Sequence, residues 1–93
     1  MDWNNEKILV TGGTGSFGKT FVRHLLTNEE LRPKRLVVFS RDEQKQNEMS
    51  NEFSTKKYEC LRYFLGDIRD RPRVERALKG ITTIIHAAAL KHV

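Results

Sequence analysis

One cysteine, two prolines, one tryptophan and no long apolar run set the first boundaries on this 93-residue chain. With Cys60 alone no internal disulfide can form, which fits a reducing compartment. The thiol itself reads as a small buried group at the start of a strand. No stretch is long and apolar enough to cross a membrane, and the opening Asp2-Trp3-Asn4-Asn5-Glu6 is too polar for a secretion signal. A soluble, cytoplasmic protein is expected. There is no internal repeat, low-complexity tract or linker, and the length allows at most one small domain. No metal site is expected.

A block of like charge is also missing. The net charge is +5, but the densest basic group, Arg69, Arg71, Arg73 and Arg76, is interleaved with Asp70 and Glu75. Such mixing marks a solvated helix face and argues against nucleic acid as a partner. A positive surface does suit an anionic cofactor and a nucleotide-linked substrate.

What the chain has is glycine, concentrated near its start. Val10-Thr11-Gly12-Gly13-Thr14-Gly15-Ser16-Phe17-Gly18-Lys19-Thr20 follows the apolar run Ile8-Leu9-Val10. It precedes a helical pattern of Phe17, Phe21 and Leu25 with Val22 and Leu26. A strand, a glycine turn and a helix in succession bring bare N–H groups and a helix N-terminus against a phosphate. Two motifs overlap there. Gly12, Gly15 and Gly18 have the three-residue spacing of a dinucleotide fold, supplying the tight turn, the close approach to pyrophosphate and the helix-to-strand packing. Gly13-x-x-x-x-Gly18-Lys19-Thr20 also satisfies the phosphate-loop pattern of ATPases and GTPases, with Lys19 on the terminal phosphates and Thr20 on Mg²⁺.

Further along, the pattern alternates. Strands are predicted at Lys7 to Thr11, Arg35 to Phe39, Leu61 to Leu65 and Thr82 to His86. A first helix is predicted from Ser16 to about Thr27. The second starts at Ser40, which has capping-box spacing to Glu43, and runs to about Phe53 with Met49 and Phe53 on one face. A third follows Asp70-Arg71-Pro72, presents Val74, Ala77 and Leu78, and ends with Gly80 at C′. Strand–helix three times and then a strand argues for an α/β doubly wound parallel sheet in the order 3-2-1-4. The ligand is then expected over the carboxyl ends of the strands, at the switch between the first and the fourth.

Each candidate falls on that edge. The glycine turn contributes Thr11, Gly12, Thr14, Gly15, Ser16, Phe17 and Gly18. Ser40 and Arg41 end the second strand, where an acidic side chain would hold the 2′-hydroxyl of NAD. A guanidinium there can instead grip a 2′-phosphate, which favours NADP over NAD, although Asp42 could turn toward the ribose. Asp67 can accept from an adenine amino group, with Ile68 packed on the ring. Ala87, Ala88 and Ala89 are small enough to let backbone approach the nicotinamide side. His86 reads as a strand-end histidine, and Lys91 as a weak candidate for an anionic substrate. The phosphate-loop alternative needs a carboxylate at the end of a neighbouring strand, and only Asp67 loosely offers one.

Taken together, Val10 to Gly18, Phe39-Ser40-Arg41-Asp42-Glu43, Gly66-Asp67-Ile68-Arg69-Asp70 and His86-Ala87-Ala88-Ala89-Leu90-Lys91-His92-Val93 resemble the extended short-chain dehydrogenases that act on nucleotide sugars. The resemblance is strongest to the polysaccharide-biosynthesis branch, the UDP-N-acetylglucosamine 4,6-dehydratases that also invert C5. It implies an NAD(P)-binding Rossmann fold and a tightly held NADP(H), which takes a hydride from C4 of the sugar and returns it at C6 after water is lost. An epimerase or reductase of the same superfamily is the neighbouring possibility. The family's catalytic Tyr-x-x-x-Lys has no counterpart here, since neither Tyr58 nor Tyr63 is followed by lysine four residues on. Residues 1–93 are therefore expected to be the N-terminal, cofactor-binding part of a larger enzyme, inactive alone, with the substrate domain absent. An exposed edge on the fourth strand would favour self-association, and the partners expected are a nucleotide sugar and further copies of the protein, with no membrane.

Overall fold

A computed structural model describes residues 2–87. After a 3-10 turn at Trp3–Asn5, seven elements follow: β1 (Lys7–Thr11), α1 (Ser16–Thr27), β2 (Arg35–Ser40), α2 (Glu43–Glu52), β3 (Leu61–Leu65), α3 (Arg71–Ala77) and β4 (Thr83–His86). The four strands are all parallel in the order β3-β2-β1-β4, as the alternation requires. In register, Val10 of β1 lies between Val38 of β2 and Ile85 of β4.

The apolar runs are continuous because both faces of the sheet are covered. On one face Ile8, Val10, Leu36, Val38 and Leu61 pack against Val22, Leu25 and Leu26 of α1 and Met49 of α2. On the other, Leu9, Val37 and Phe39 meet Ala77 of α3, with Val74, Leu78 and Ile81 partly buried around them. Each fully buried Leu or Ile contributes roughly 1.5–3 kcal/mol over its exposed state. Helices on opposite faces leave the strand ends as the open edge of the sandwich.

Four local expectations are corrected. Ser40 does not cap α2. It remains in β2, paired with Leu65, and the cap is Asp42, whose Oδ1 accepts from the Lys45 N–H at 3.0 Å. One oxygen of Asp42 is thus engaged by its own helix. In α1 the buried stripe is Gly18, Val22, Leu25 and Leu26, while Phe17 lies outside it at 46% exposure. The third helix stops at Ala77 with Leu78 as C-cap, so Gly80, at φ +80°, sits one residue beyond C′. Cys60 is half-buried rather than buried, and desolvation pushes its thiol up from the ordinary value.

Arg73 also departs from a solvated face. Its Nε donates to Leu65 O at 2.8 Å, and its guanidinium carbon lies 4.2 Å from the centroid of the Phe64 ring. The cause is register: Phe64 points to the α3 side, where it stacks on Phe39 at 5.8 Å between centroids. Arg69 and Arg71 of the same group remain exposed.

Candidate functional site

The turn between β1 and α1 is closed by main-chain bonds. Gly12 adopts φ +69°, a conformation that favours glycine. Its N–H donates to Phe39 O of β2 at 3.1 Å, and the Gly15 N–H donates back to Gly12 O at 3.1 Å. Gly15 is the N-cap of α1, and its carbonyl accepts from the Lys19 N–H at 2.8 Å. A Cβ at Gly18 would stand 2.4 Å from Gly12 O and 2.6 Å from Gly13 Cα, so the helix can sit this close to the turn only with glycine there. Gly15 differs. The nearest atom to a Cβ there is Gly12 O at 3.5 Å, an ordinary contact, so the protein's own packing does not demand glycine.

Beside this turn a cleft of about 570 Å³ opens across the carboxyl ends of all four strands. β1 and its turn supply Thr11, Gly12 and Thr14; β2 supplies Phe39, Ser40 and Arg41; the segment after β3 supplies Gly66, Asp67, Ile68 and Arg69; β4 supplies His86. A more open depression of about 1160 Å³ lies at the opposite end of the sheet, around the turn before β3, with Arg32, Lys56 and Lys57 on its walls. Size alone would favour it, but it lacks a glycine turn and a helix start, so the strand-end cleft is the candidate site.

The electrostatics of the cleft centre on Asp67. Its carboxylate accepts from the Arg69 side chain (Nη2 to Oδ2, 2.8 Å) and from the Arg69 N–H (2.9 Å), while Arg41 Nη1 lies 3.6 Å away. Arg69 first, and then Arg41, hold the carboxyl well below the usual range. At the end of β2, Gln46 reaches in from α2. Its Nε2 lies 2.9 Å from Ser40 Oγ, 3.3 Å from Ser40 O and 3.2 Å from Phe64 O. Between β1 and β4 the Thr11 hydroxyl meets His86 Nδ1 at 2.9 Å, which occupies that histidine as a strand-end group.

The candidates from sequence divide into three sets. Thr11, Gly12, Thr14, Ser40, Arg41, Asp67 and Ile68 wall the cleft together. Gly15, Ser16, Phe17 and Gly18 form the cap and first turn of α1 beside it, and Ala87 is buried at the end of β4. Ala88, Ala89 and Lys91 lie outside the described residues. Sequence reasoning passed over Phe39, Gly66, Arg69 and the positioning contact from Gln46. Phe39 was hidden in an apolar run. Gly66 did carry a signal, a glycine directly after a strand, and a Cβ there would meet Arg73 Cγ at 2.8 Å.

The phosphate-loop pattern does not describe this turn. The helix starts at Ser16, so Gly18 lies inside it rather than in the loop. Lys19 Nζ is 3.3 Å from Glu52 Oε1, and the Thr20 hydroxyl donates to Ser16 O at 2.9 Å. Of the side chains that would serve a triphosphate and its metal, Lys19 reaches across to α2 and Thr20 bonds back within α1. Among the described residues no three or more His, Cys, Asp and Glu side chains come together as metal ligands, and no helix is long and apolar enough to cross a membrane.

Comparison with known proteins agrees with this geometry. The polysaccharide biosynthesis protein family matches residues 8–93. A UDP-N-acetylglucosamine 4,6-dehydratase (inverting) of Campylobacter jejuni (strain 81-176) is 50% identical over 91 residues, covering 98% of this chain and 26% of the relative. A UDP-glucose 4-epimerase of Rickettsia bellii (strain RML369-C) is 38% identical over 90 residues, 96% of this chain and again 26% of the relative. The solved structure of Pen from Bacillus thuringiensis superposes with a TM-score of 0.82 at 40% identity, covering 100% of this chain and 28% of that one. The chain thus spans about a quarter of the length of the curated relatives it matches. With strand order, glycine turn and sequence match all in agreement, the chain belongs to the polysaccharide biosynthesis protein family, in its Rossmann-like nucleotide-binding portion.

Proposed function

We propose that residues 1–93 are the N-terminal, cofactor-binding part of a nucleotide-sugar 4,6-dehydratase, and that the strand-end cleft takes NADP(H) in preference to NAD(H). One observation carries the reading. Gly15, at the N-terminus of α1, has no side chain although nothing in the protein excludes one, which supports a close approach of a diphosphate bridge to the main chain there. Thr14 and Ser16 would hold that bridge through their N–H groups, the Gly15 N–H being taken by Gly12 O. Arg41, 73% exposed and only loosely held by Asp67, would grip a 2′-phosphate, with the Ser40 hydroxyl beside it. Ile68, 65% exposed at the cleft rim, offers an apolar surface to the adenine ring.

When bound, the nicotinamide supplies reversible hydride acceptance. The residues of this chain bind and orient it. The substrate class, a nucleotide sugar and more narrowly a UDP-N-acetylglucosamine-type one, is supported by the 50% identity to the Campylobacter dehydratase. The epimerase relatives support a second reading with the same cofactor half. Incubating the full-length protein that contains residues 1–93 with UDP-N-acetylglucosamine and NADP⁺ separates the two: a 4-keto-6-deoxy product supports the dehydratase, and a C4 epimer with C6 unchanged replaces it by the epimerase. Titration with NADP⁺, NAD⁺ and Mg-ATP tests the cofactor. Tighter binding of NAD⁺ than of NADP⁺ would defeat the NADP assignment.

A further inference from the structure

The Gln46 side chain is 8% exposed and makes three contacts, all through one nitrogen. Two of its partners, Ser40 O and Phe64 O, are carbonyls and can only accept. The group that faces them is therefore the NH₂ and not the amide oxygen. An amide nitrogen does not accept hydrogen bonds and its two hydrogens face three acceptors; Ser40 Oγ, the nearest at 2.9 Å, takes one, so Gln46 donates and the hydroxyl oxygen accepts, while Ser40 O, the farthest at 3.3 Å, only shares a hydrogen. The hydroxyl's own hydrogen then has to point elsewhere. Among the described residues nothing accepts it, and Ser40, 9% exposed, walls the cleft beside Arg41.

We propose that Gln46 is a positioning residue for cofactor choice: by donating to Ser40 Oγ it leaves the hydroxyl hydrogen aimed into the cleft, as a donor matched to an anionic 2′ substituent. A phosphate oxygen is an obligate acceptor at that point, whereas a ribose hydroxyl is served at least as well by an acceptor, which is why a carboxylate suits NAD. The proposal rests on the dinucleotide reading of the cleft and adds the origin of its selectivity. Gln46 itself touches no cofactor atom in this scheme. It acts through Ser40, and its two carbonyl contacts tie α2 to the ends of β2 and β3 so that the hydroxyl cannot shift.

The test is the ratio of NADP⁺ to NAD⁺ affinity, measured by titration of the purified protein and its variants, with thermal unfolding as the check on folding. Gln46→Glu reverses the bond, because a carboxylate accepts the Ser40 hydrogen and turns the hydroxyl lone pairs outward. The ratio is expected to fall by about tenfold, the scale of one hydrogen bond to a charged group. Gln46→Met, which frees the hydroxyl to rotate and also removes the contacts to Ser40 O and Phe64 O, should lower it less. In a Ser40→Ala background Gln46→Met should leave the ratio unchanged, since the hydroxyl it acts through is gone. A purely structural Gln46 would not show that dependence. An unchanged ratio in a folded Gln46→Glu protein overturns the proposal. So does an equal shift from Gln46→Met with and without the Ser40 hydroxyl, and that comparison decides the matter if Gln46→Glu does not fold. The wild-type ratio speaks separately to the cofactor assignment: a wild type that prefers NAD⁺ removes that assignment, while a Gln46→Met effect on the ratio that vanishes in the Ser40→Ala background still supports the role of Gln46.

Discussion

Arg41 Nη1 and Asp67 Oδ2 face each other at 3.6 Å across the mouth of the cleft, one from the end of β2 and the other from the end of β3. Asp67 is bound more closely by Arg69, so Arg41 is the looser partner and is free to turn toward an anion. Arg41→Ala should lower NADP⁺ affinity by about tenfold or more, the scale of a charge-assisted pair, with NAD⁺ affinity nearly unchanged. Equal losses for both dinucleotides would show that Arg41 does not read the 2′ position.

Gly15 and Gly18 separate binding from folding. Gly18→Ala forces a Cβ into main-chain atoms of Gly12 and Gly13, which cannot rotate away. A loss of about 1–3 kcal/mol of stability is expected, the usual range for overpacking. Gly15→Ala meets only an ordinary contact at 3.5 Å, at φ −73°, and should leave the unfolding midpoint nearly unchanged while weakening dinucleotide binding. Full NADP⁺ affinity in Gly15→Ala would mean the diphosphate does not approach that backbone.

Lys19 should be dispensable for nucleotide binding. Its ammonium group pairs with Glu52 across α1 and α2, both side chains about 40% exposed. Lys19→Ala should keep NADP⁺ affinity within about twofold, since exposed pairs contribute little. A Mg²⁺-dependent ATP affinity abolished by the same substitution would restore the phosphate-loop interpretation.

Two groups give the stability opposite pH slopes. Asp67 is held below its ordinary pKa by Arg69, so its contribution is present above the ordinary carboxylate range of about 4 and is lost as pH falls below it. Burial raises Tyr63, whose hydroxyl donates to Phe53 O at 2.7 Å, from 10.0 to about 12. The folded state therefore keeps the proton longer, and its stabilisation is complete below the ordinary value and lost as pH rises through about 12. Denaturation curves across both ranges, with tyrosinate absorbance read at the alkaline end, check the two slopes. A tyrosinate titration in the folded protein centred at the ordinary value would rule out the burial effect.

The sheet order was legible in the sequence because Ile8 to Val10 and Leu36 to Phe39 are unbroken apolar runs, Leu61 to Leu65 is apolar but for Arg62, and glycine and proline punctuate them. The end of β2 was not. Ser40 and Asp42 are both good helix caps, and local preference cannot say which one the strand will claim; pairing of Ser40 with Leu65 decides it, and that is a long-range fact. Arg73 was misread for a related reason. Charge pattern treats an arginine as solvated, whereas the face on which Phe64 emerges is set by the sheet. The contact from Gln46 to Ser40 likewise depends on how α2 lies against two strands.

Main-chain bonds from Gly12 N to Phe39 O and from Gly66 N to Ser40 O stitch the ends of β1, β2 and β3 into one continuous rim. Such lacing contains no side chain, so exchanging the side chain of Ser40 or Arg41 leaves its outline in place, whereas Gly12 and Gly66 have to stay glycine. On the proposed reading of the cleft, descendants of this sequence can exchange one dinucleotide for another by changing a few side groups at the end of β2, and the frame that presents them is inherited intact.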